Sequence, residues 1–246
     1  MRVLNGFVAV LALLTVALAP AGLASEAERG GARLVEKLKE IRPDLPVEAV
    51  LSTPLSDIFA LELAGGSVLY GTSDGRYLFA GDMFEVGAQG LVNLAESRRA
   101  DKRRAAMLKV PVEQMLVFTA AGERKAVINV FTDVDCGYCR KLHLEMADIN
   151  AHGIEVRYLA FPRAGVGSRS YEKIVSAWCA HDRNTALTDL KLGKEIPDRV
   201  CPNPVSDQYD LGREIGVTGT PAIVLEDGRL LPGYMPADTL AAAIGL

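Results

Sequence analysis

The chain has 246 residues, four of them cysteine, and a formal charge of -4 at neutral pH. Mild acidity argues against nucleic acid as the main partner. An even cysteine count suits an oxidising compartment.

The opening "MRVLNGFVAVLALLTVALAPAGLAS" carries one Arg, then an uncharged apolar core from Phe7 to Ala19, then small residues that fit cleavage after Ala24. This is the pattern of a secretory signal peptide, residues 1–24. An uncleaved membrane anchor is the alternative, but the core has 13 residues, short of the roughly 20 that a spanning helix needs. No later stretch is long and apolar enough to span. Removal of the leader takes away one Arg and no acid, which moves the formal charge from -4 to -5. The remaining chain is expected to be soluble and exported, into a bacterial periplasm.

A first helix is expected from Ser25 to Ile41, where Leu34, Val35, Leu38 and Ile41 recur at helical spacing before Pro43 stops it. Strands follow at Val47 to Leu51, Ile58 to Leu63, Val68 to Tyr70 and Arg76 to Phe79, with Asp74-Gly75 as a hairpin turn. A helix on so small a sheet buries little apolar surface alone. Residues 25–88 are therefore read as a dimerisation domain. Residues 89–111 are read as a linker helix around "LVNLAESRRADKRRAAMLK", rich in helix formers and in basic side chains. A solvated helix and a nucleic-acid patch are the two readings of that charge. Pro111 marks the next boundary.

From residue 112 to 246 strands and helices alternate. "AVINVFTDV" reads as a strand, followed by a helix from Cys136 to Ala151 and by "IEVRYLAF" as a second strand. Helical stretches then lie near Ser170 to Ala180 and Val205 to Ile215. "TPAIVLEDGRLLPG" reads as a hairpin turning at Asp227-Gly228, and a last helix runs from Ala237 to Ile244. That order predicts a sheet covered by helices, with a long helical insertion, on the thioredoxin-like plan.

The chemistry centres on "FTDVDCGYCRKLHLEM", where Cys136 and Cys139 stand two residues apart between a strand and a helix. A c-type haem would need His after the second Cys, and Arg140 stands there. A structural zinc would need a second close pair, although His143 on the same helix face could serve as a third ligand; an ordinary amphipathic-helix histidine is the other reading. As a structural staple, the pair closes too small a loop to stabilise much. A redox pair remains. At a helix start, unpaired backbone N–H groups and the helix dipole favour a thiolate at Cys136. An ordinary thiol of pKa about 8.5 is only roughly 3% ionised at neutral pH. Cys136 is then the nucleophile and Cys139, one turn on, the resolving thiol. Gly137 and Tyr138 between them tune the pair.

Thr220-Pro221 in "VTGTPAIV" would by itself be trans, but beside a Cys-x-x-Cys at a strand-to-helix junction a thioredoxin-like site implies a cis-Pro loop facing the thiols, with the Thr220 backbone pairing to an extended substrate strand. Cys179 and Cys201, 22 residues apart, are assigned to a structural disulfide worth roughly 3 kcal/mol by loop closure; a second redox centre is the alternative.

Taken together, "FTDVDCGYCRKLH", "RYLAFPRAG", "WCA", "GVTGTPAIVLEDG" and "PGYMP", in that order, resemble the periplasmic thiol:disulfide interchange proteins of the DsbC type, densely from Val112 onward and more faintly before it. The resemblance implies an α+β homodimer: an N-terminal cystatin-like helix-plus-antiparallel-sheet domain pairs the chains, a linker helix follows, and a thioredoxin-like α/β domain with a helical insertion carries the site. It places the nucleophile at Cys136, the resolving thiol at Cys139, the cis-proline at Pro221 after Thr220, and the structural bridge at Cys179 and Cys201. It implies isomerisation of wrong disulfides in misfolded exported proteins, a reduced pair maintained by a membrane-embedded thiol reductase of the DsbD type, chaperone activity in an apolar cleft, and no metal or organic cofactor. An exported thiol oxidase or reductase of the same fold and a non-enzymatic holdase are the competing functions. Against the family pattern, the last helix stops early at "AAAIGL", and Asp135 precedes Cys136; a carboxylate close to the thiolate would raise its pKa.

Overall fold

The computed structural model describes residues 26–64, 66–88 and 90–246. The expected leader, residues 1–24, and its cleavage point after Ala24 lie outside the described residues.

The first unit is helix α1, Glu26–Ile41, on an antiparallel sheet of β1 (Val47–Ser52), β2 (Ile58–Leu63), β3 (Val68–Thr72) and β4 (Leu78–Ala80), in the order β1-β2-β3-β4. Leu34 and Leu38, one helical turn apart, pack on Phe59 and Leu61 from alternate positions of β2. The turn between β3 and β4 is held by Asp74, whose Oδ1 accepts from Thr72 Oγ1 at 2.6 Å and from Arg76 N at 3.0 Å. Gly75 there has a φ of +67, which glycine adopts without steric cost.

Between the two units, two elements depart from the sequence reading. A hairpin of β5 (Phe84–Gly87) and β6 (Gly90–Asn93) precedes the linker. Helix α2 therefore begins at Leu94 rather than at 89, capped by Asn93 Oδ1 on Glu96 N at 3.0 Å, and runs to Met107.

The second unit is a five-stranded sheet, order β11-β10-β8-β9-β7, made of β7 (Leu116–Phe118), β8 (Ala126–Thr132), β9 (Ile154–Ala160), β10 (Ala222–Leu225) and β11 (Leu230–Pro232). β8 and β9 are parallel; the other pairs are antiparallel. β8 is apolar along nearly its whole length because both of its faces are covered. Ile128 and Val130 point into one core with Leu142, Ile149, Trp178 and Leu187, whereas Phe131 points into the other with Met107, Phe161 and Val217.

The helices are α3 (Gly137–Leu144), α4 (Met146–Ala151), α5 (Arg169–Trp178), α6 (Arg183–Lys191), α7 (Val205–Glu214) and α8 (Ala237–Ala243). The single helix expected from Cys136 to Ala151 is divided at Glu145, with φ -93 and ψ 12. The Glu145 carboxylate accepts from Tyr234 Oη and from Ala237 N, the latter at 2.8 Å, and this distant attachment turns the chain. Among the described residues, no helix is long and apolar enough to cross a membrane.

Candidate active site

β8 ends at Thr132, and four residues later the chain enters α3 with Cys136 at the N-cap, φ -88 and ψ 122, its side chain making no capping bond. The thiol thus sits among the free N–H groups of the first helical turn. Cys136 and Cys139 are both unbonded thiols, 3% and 1% exposed. Gly137 and Tyr138 between them are exposed, so the Cys136 thiol lies just beneath the surface. Tyr138 stacks on Tyr234, centroids 6.4 Å apart and planes at 20°, and forms one rim of the site.

The opposite rim is the loop before β10. Thr220-Pro221 is a cis peptide, and Cys136 Sγ donates to Thr220 O at 3.2 Å across 84 residues of sequence. Thr220 Oγ1 is buried without a hydrogen-bond partner.

Burial opposes the Cys136 thiolate. The Thr220 hydroxyl, the Cys139 backbone and thiol, and the Arg163 charge favour it and prevail, holding the thiol below its ordinary range. Asp135 does not spoil this balance: its carboxylate is paired with Lys173 at 2.7 Å and Arg140 at 3.6 Å. Cys139 differs, since its deeper burial pushes its pKa up. The two thiols are therefore unequal by position, the outer one held below its ordinary range and the inner one above it.

Beneath them lie groups that the sequence reading missed. Asp133, buried, accepts from Ser170 Oγ at 2.5 Å, Arg163 N at 2.9 Å, Arg163 Nε at 3.2 Å and Asp135 N at 2.9 Å. It thereby fixes Arg163 beside Cys136. Lys191, on the unpredicted helix α6, is 3% exposed and donates to Thr132 Oγ1 and to Asp133 O. His143, which the sequence offered as a third zinc ligand or as an ordinary amphipathic-helix residue, is buried, its ring nitrogens 3.2 Å from Tyr158 Oη and 3.0 Å from Thr188 Oγ1. The only available sequence signal was the "TDVD" run before the first cysteine.

Cys179 and Cys201 form a disulfide, Cα atoms 5.7 Å apart. It joins the end of α5 to the segment before α7 and closes the loop that contains α6.

Two family models match the chain: a disulfide bond isomerase protein N-terminal domain over residues 20–96 and a thioredoxin-like domain over residues 113–245. The thiol:disulfide interchange protein DsbC of Escherichia coli K12 is 44% identical over 174 residues, 71% of each chain. Its counterpart in Pasteurella multocida is 34% identical over 221 residues, 89% of this chain and 93% of that one. The chain belongs to the DsbC family of thiol:disulfide interchange proteins. DsbC membership accounts for both units, the N-terminal sheet with its helix and the thioredoxin-like sheet. A linker-deletion mutant of Proteus mirabilis ScsC shares the fold at 20% identity, with a TM-score of 0.50 over 61% of this chain and 82% of that one.

Proposed function

We propose that this chain is an exported protein disulfide isomerase that works through Cys136 and Cys139. The observation that carries the reading is the pairing of an outer thiol, held below its ordinary pKa at the mouth of α3, with an inner thiol held above it. The Cys136 thiolate attacks a wrong disulfide in a substrate, a mixed disulfide forms, and a substrate thiol is released. That thiol attacks another bond until Cys136 is displaced by a stable pairing. If the exchange stalls, Cys139 attacks Cys136, and the substrate leaves reduced.

Gly137 and Tyr138 space the thiols, Thr220 and Pro221 offer backbone to an extended substrate segment, and the Cys179–Cys201 bridge is structural. Residues 25–88 pair two chains, residues 89–111 link, and residues 112–246 carry the chemistry. Support for a homodimer comes from exposed apolar side chains on the first unit: Leu78 and Phe79 on edge strand β4, and Phe84, Val86, Leu91 and Val92 on the β5-β6 hairpin. Such a patch on a sheet edge calls for a partner. Work in an oxidising periplasm requires electrons from outside, which a membrane thiol reductase of the DsbD type supplies. The apolar surface between two catalytic units would also restrain aggregation.

The test is refolding of a scrambled multi-disulfide protein in a glutathione buffer. The parent restores native pairing and Cys136→Ser does not, while remaining folded. Equal restoration by both proteins overturns the reading. Suppression of aggregation in a cysteine-free substrate tests the holdase component separately.

A further inference from the structure

Lys191 is a buried amine with an unusual set of neighbours. Its Nζ donates to Thr132 Oγ1 and, at 3.0 Å, to the Asp133 carbonyl, and it lies 5.6 Å from the centre of the Tyr158 ring. Among the described residues it has no salt-bridge partner. A permanently charged ammonium held in such a place by two neutral acceptors is a poor structural device, because desolvation of the charge is not offset. The group that could offset it is the Cys139 thiol, charged only for part of a reaction cycle. The Thr132 hydroxyl favours the ionised form of that thiol, and the same hydroxyl accepts from Lys191.

We propose that Lys191 takes the proton of Cys139, through the Thr132 hydroxyl, when Cys139 displaces a substrate from Cys136. The inference rests on the reading of Cys136 and Cys139 as the redox pair. Its place in the cycle follows from need. Cys139 is held protonated by burial, and a protonated thiol does not attack a disulfide. A base must lie close, and the other titratable groups facing the spot are unsuited. His143, on α3, is pushed down to about 4 by burial and by Lys191. Tyr158, on β9, is raised well above its usual range by burial. The Asp133 carboxylate, itself buried, is held low by Ser170, Arg163 and the Asp135 N–H, all already on its oxygens. Arg140, on α3, offers hydrogen-bond donors and no acceptor. Lys191 is brought down to about 8 by burial, against the upward pull of Cys139, Asp133 and Cys136. An amine in that range gains and loses a proton near neutrality.

The step balances as follows. The Cys139 S–H bond breaks, its proton passes to Thr132 Oγ1, the Thr132 proton passes to the neutral Lys191 Nζ, and an ammonium forms. The Cys139 sulfur pair attacks Cys136 Sγ, a Cys136–Cys139 bond forms, and the bond from Cys136 to the substrate sulfur breaks. The substrate leaves as a thiolate, reduced, and the enzyme dithiol is oxidised by two electrons. The proton returns from Lys191 to solvent or to the departing thiolate. Lys191 touches neither the substrate nor the disulfide, so it acts as a positioning and proton-holding residue.

The experiment mixes the reduced full chain with an aromatic disulfide whose leaving thiolate is coloured. The first equivalent of colour reports attack by Cys136, and the second reports release by Cys139. Both phases are followed from about pH 6 to about pH 9 in the parent, Lys191→Met and Thr132→Val. Lys191→Met should keep the first phase within about twofold, slow the second about tenfold at neutral pH, and displace its pH profile to the alkaline side. Thr132→Val, which leaves the amine in place, should slow the second phase alone. A second phase in Lys191→Met with the parent's rate and profile overturns the proposal. If Lys191→Met does not fold, a parent-like second phase in Thr132→Val overturns it by itself. Colour release that survives Cys136→Ser unchanged instead overturns the redox-pair reading beneath it.

Discussion

Arg163 owes its place beside Cys136 to Asp133, whose carboxylate accepts from both its backbone N–H and its Nε. A cation near a thiolate favours the charged form, so Arg163→Met should leave several-fold less Cys136 thiolate at about pH 6. Thiolate absorbance against pH, or alkylation rate against pH, checks this; an unmoved midpoint would show that the guanidinium is too well solvated to matter. His143 gives a prediction in stability. Burial, with the Lys191 charge, holds its folded pKa at about 4, whereas an unfolded histidine titrates at about 6.5. Its contribution is complete above about pH 6.5 and is lost as pH falls, because only the unfolded chain then takes up the proton. The loss approaches about 3 kcal/mol by pH 4. Urea unfolding at several pH values should show this fall, and His143→Gln should flatten it; parallel slopes in the two proteins would refute the assignment. Cys136, Cys139, Thr220 and Pro221 were legible because short runs carry them. Lys191 was not: in "TDLKLGK" nothing separates a buried lysine from a solvated one, and its partner Thr132 is 59 residues away in sequence.

At the scale of elements, the same distinction between local and distant causes holds. α1 and β2 were read from periodicity, and β8 from its apolar run, because their own side chains fill the cores. The break between α3 and α4 has no proline or glycine to announce it, because Glu145 is turned by Tyr234 and Ala237, about ninety residues on. α6 is polar along much of its length, and the β5-β6 hairpin has no buried face, so neither shows a clear apolar rhythm. The turn between β10 and β11 makes a testable contact. Gly228 has φ +85, and a Cβ there would stand 1.9 Å from the Ala100 carbonyl oxygen in α2. Gly228→Ala combines left-handed backbone strain with that collision and should cost about 2 kcal/mol or more. Urea unfolding measures it, and protease sensitivity within α2 reports whether the helix has come away. A loss under about 0.5 kcal/mol would mean that helix and turn are not in contact in solution.

Across the whole molecule, the exposed apolar patch of the first unit sets the next expectation. Phe79→Lys with Val86→Lys, replacing side chains 52% and 82% exposed, should leave monomers in place of the proposed dimer without harm to either core. Sedimentation reads the assembly. Reactivity of Cys136 toward a small disulfide should stay within about twofold while refolding of a scrambled protein falls at least several-fold, since a large substrate gains from two linked sites. A parent-like sedimentation coefficient would remove the patch from the interface. The division into units was legible from the change between an antiparallel meander and an alternating pattern. The docking of α2 was not. Its basic run reads as a solvated face, yet Arg103 is 4% exposed, donating to Ile215 O and Gly228 O at 3.1 Å each.

That arginine has neighbours aimed the other way: Arg98 donates to Ser52 O at 2.8 Å, and Lys102 pairs with Glu62 on β2. The two attachments are unequal. Toward the catalytic unit α2 offers a sequestered guanidinium, Met107 inside the core and Ala100 against a backbone turn; toward the first sheet it offers partly wetted charges that salt weakens. Added salt should therefore loosen α2 from the first sheet before it loosens α2 from the thiol-bearing unit, an order that hydrogen exchange along β2 and at the Gly228 turn would read.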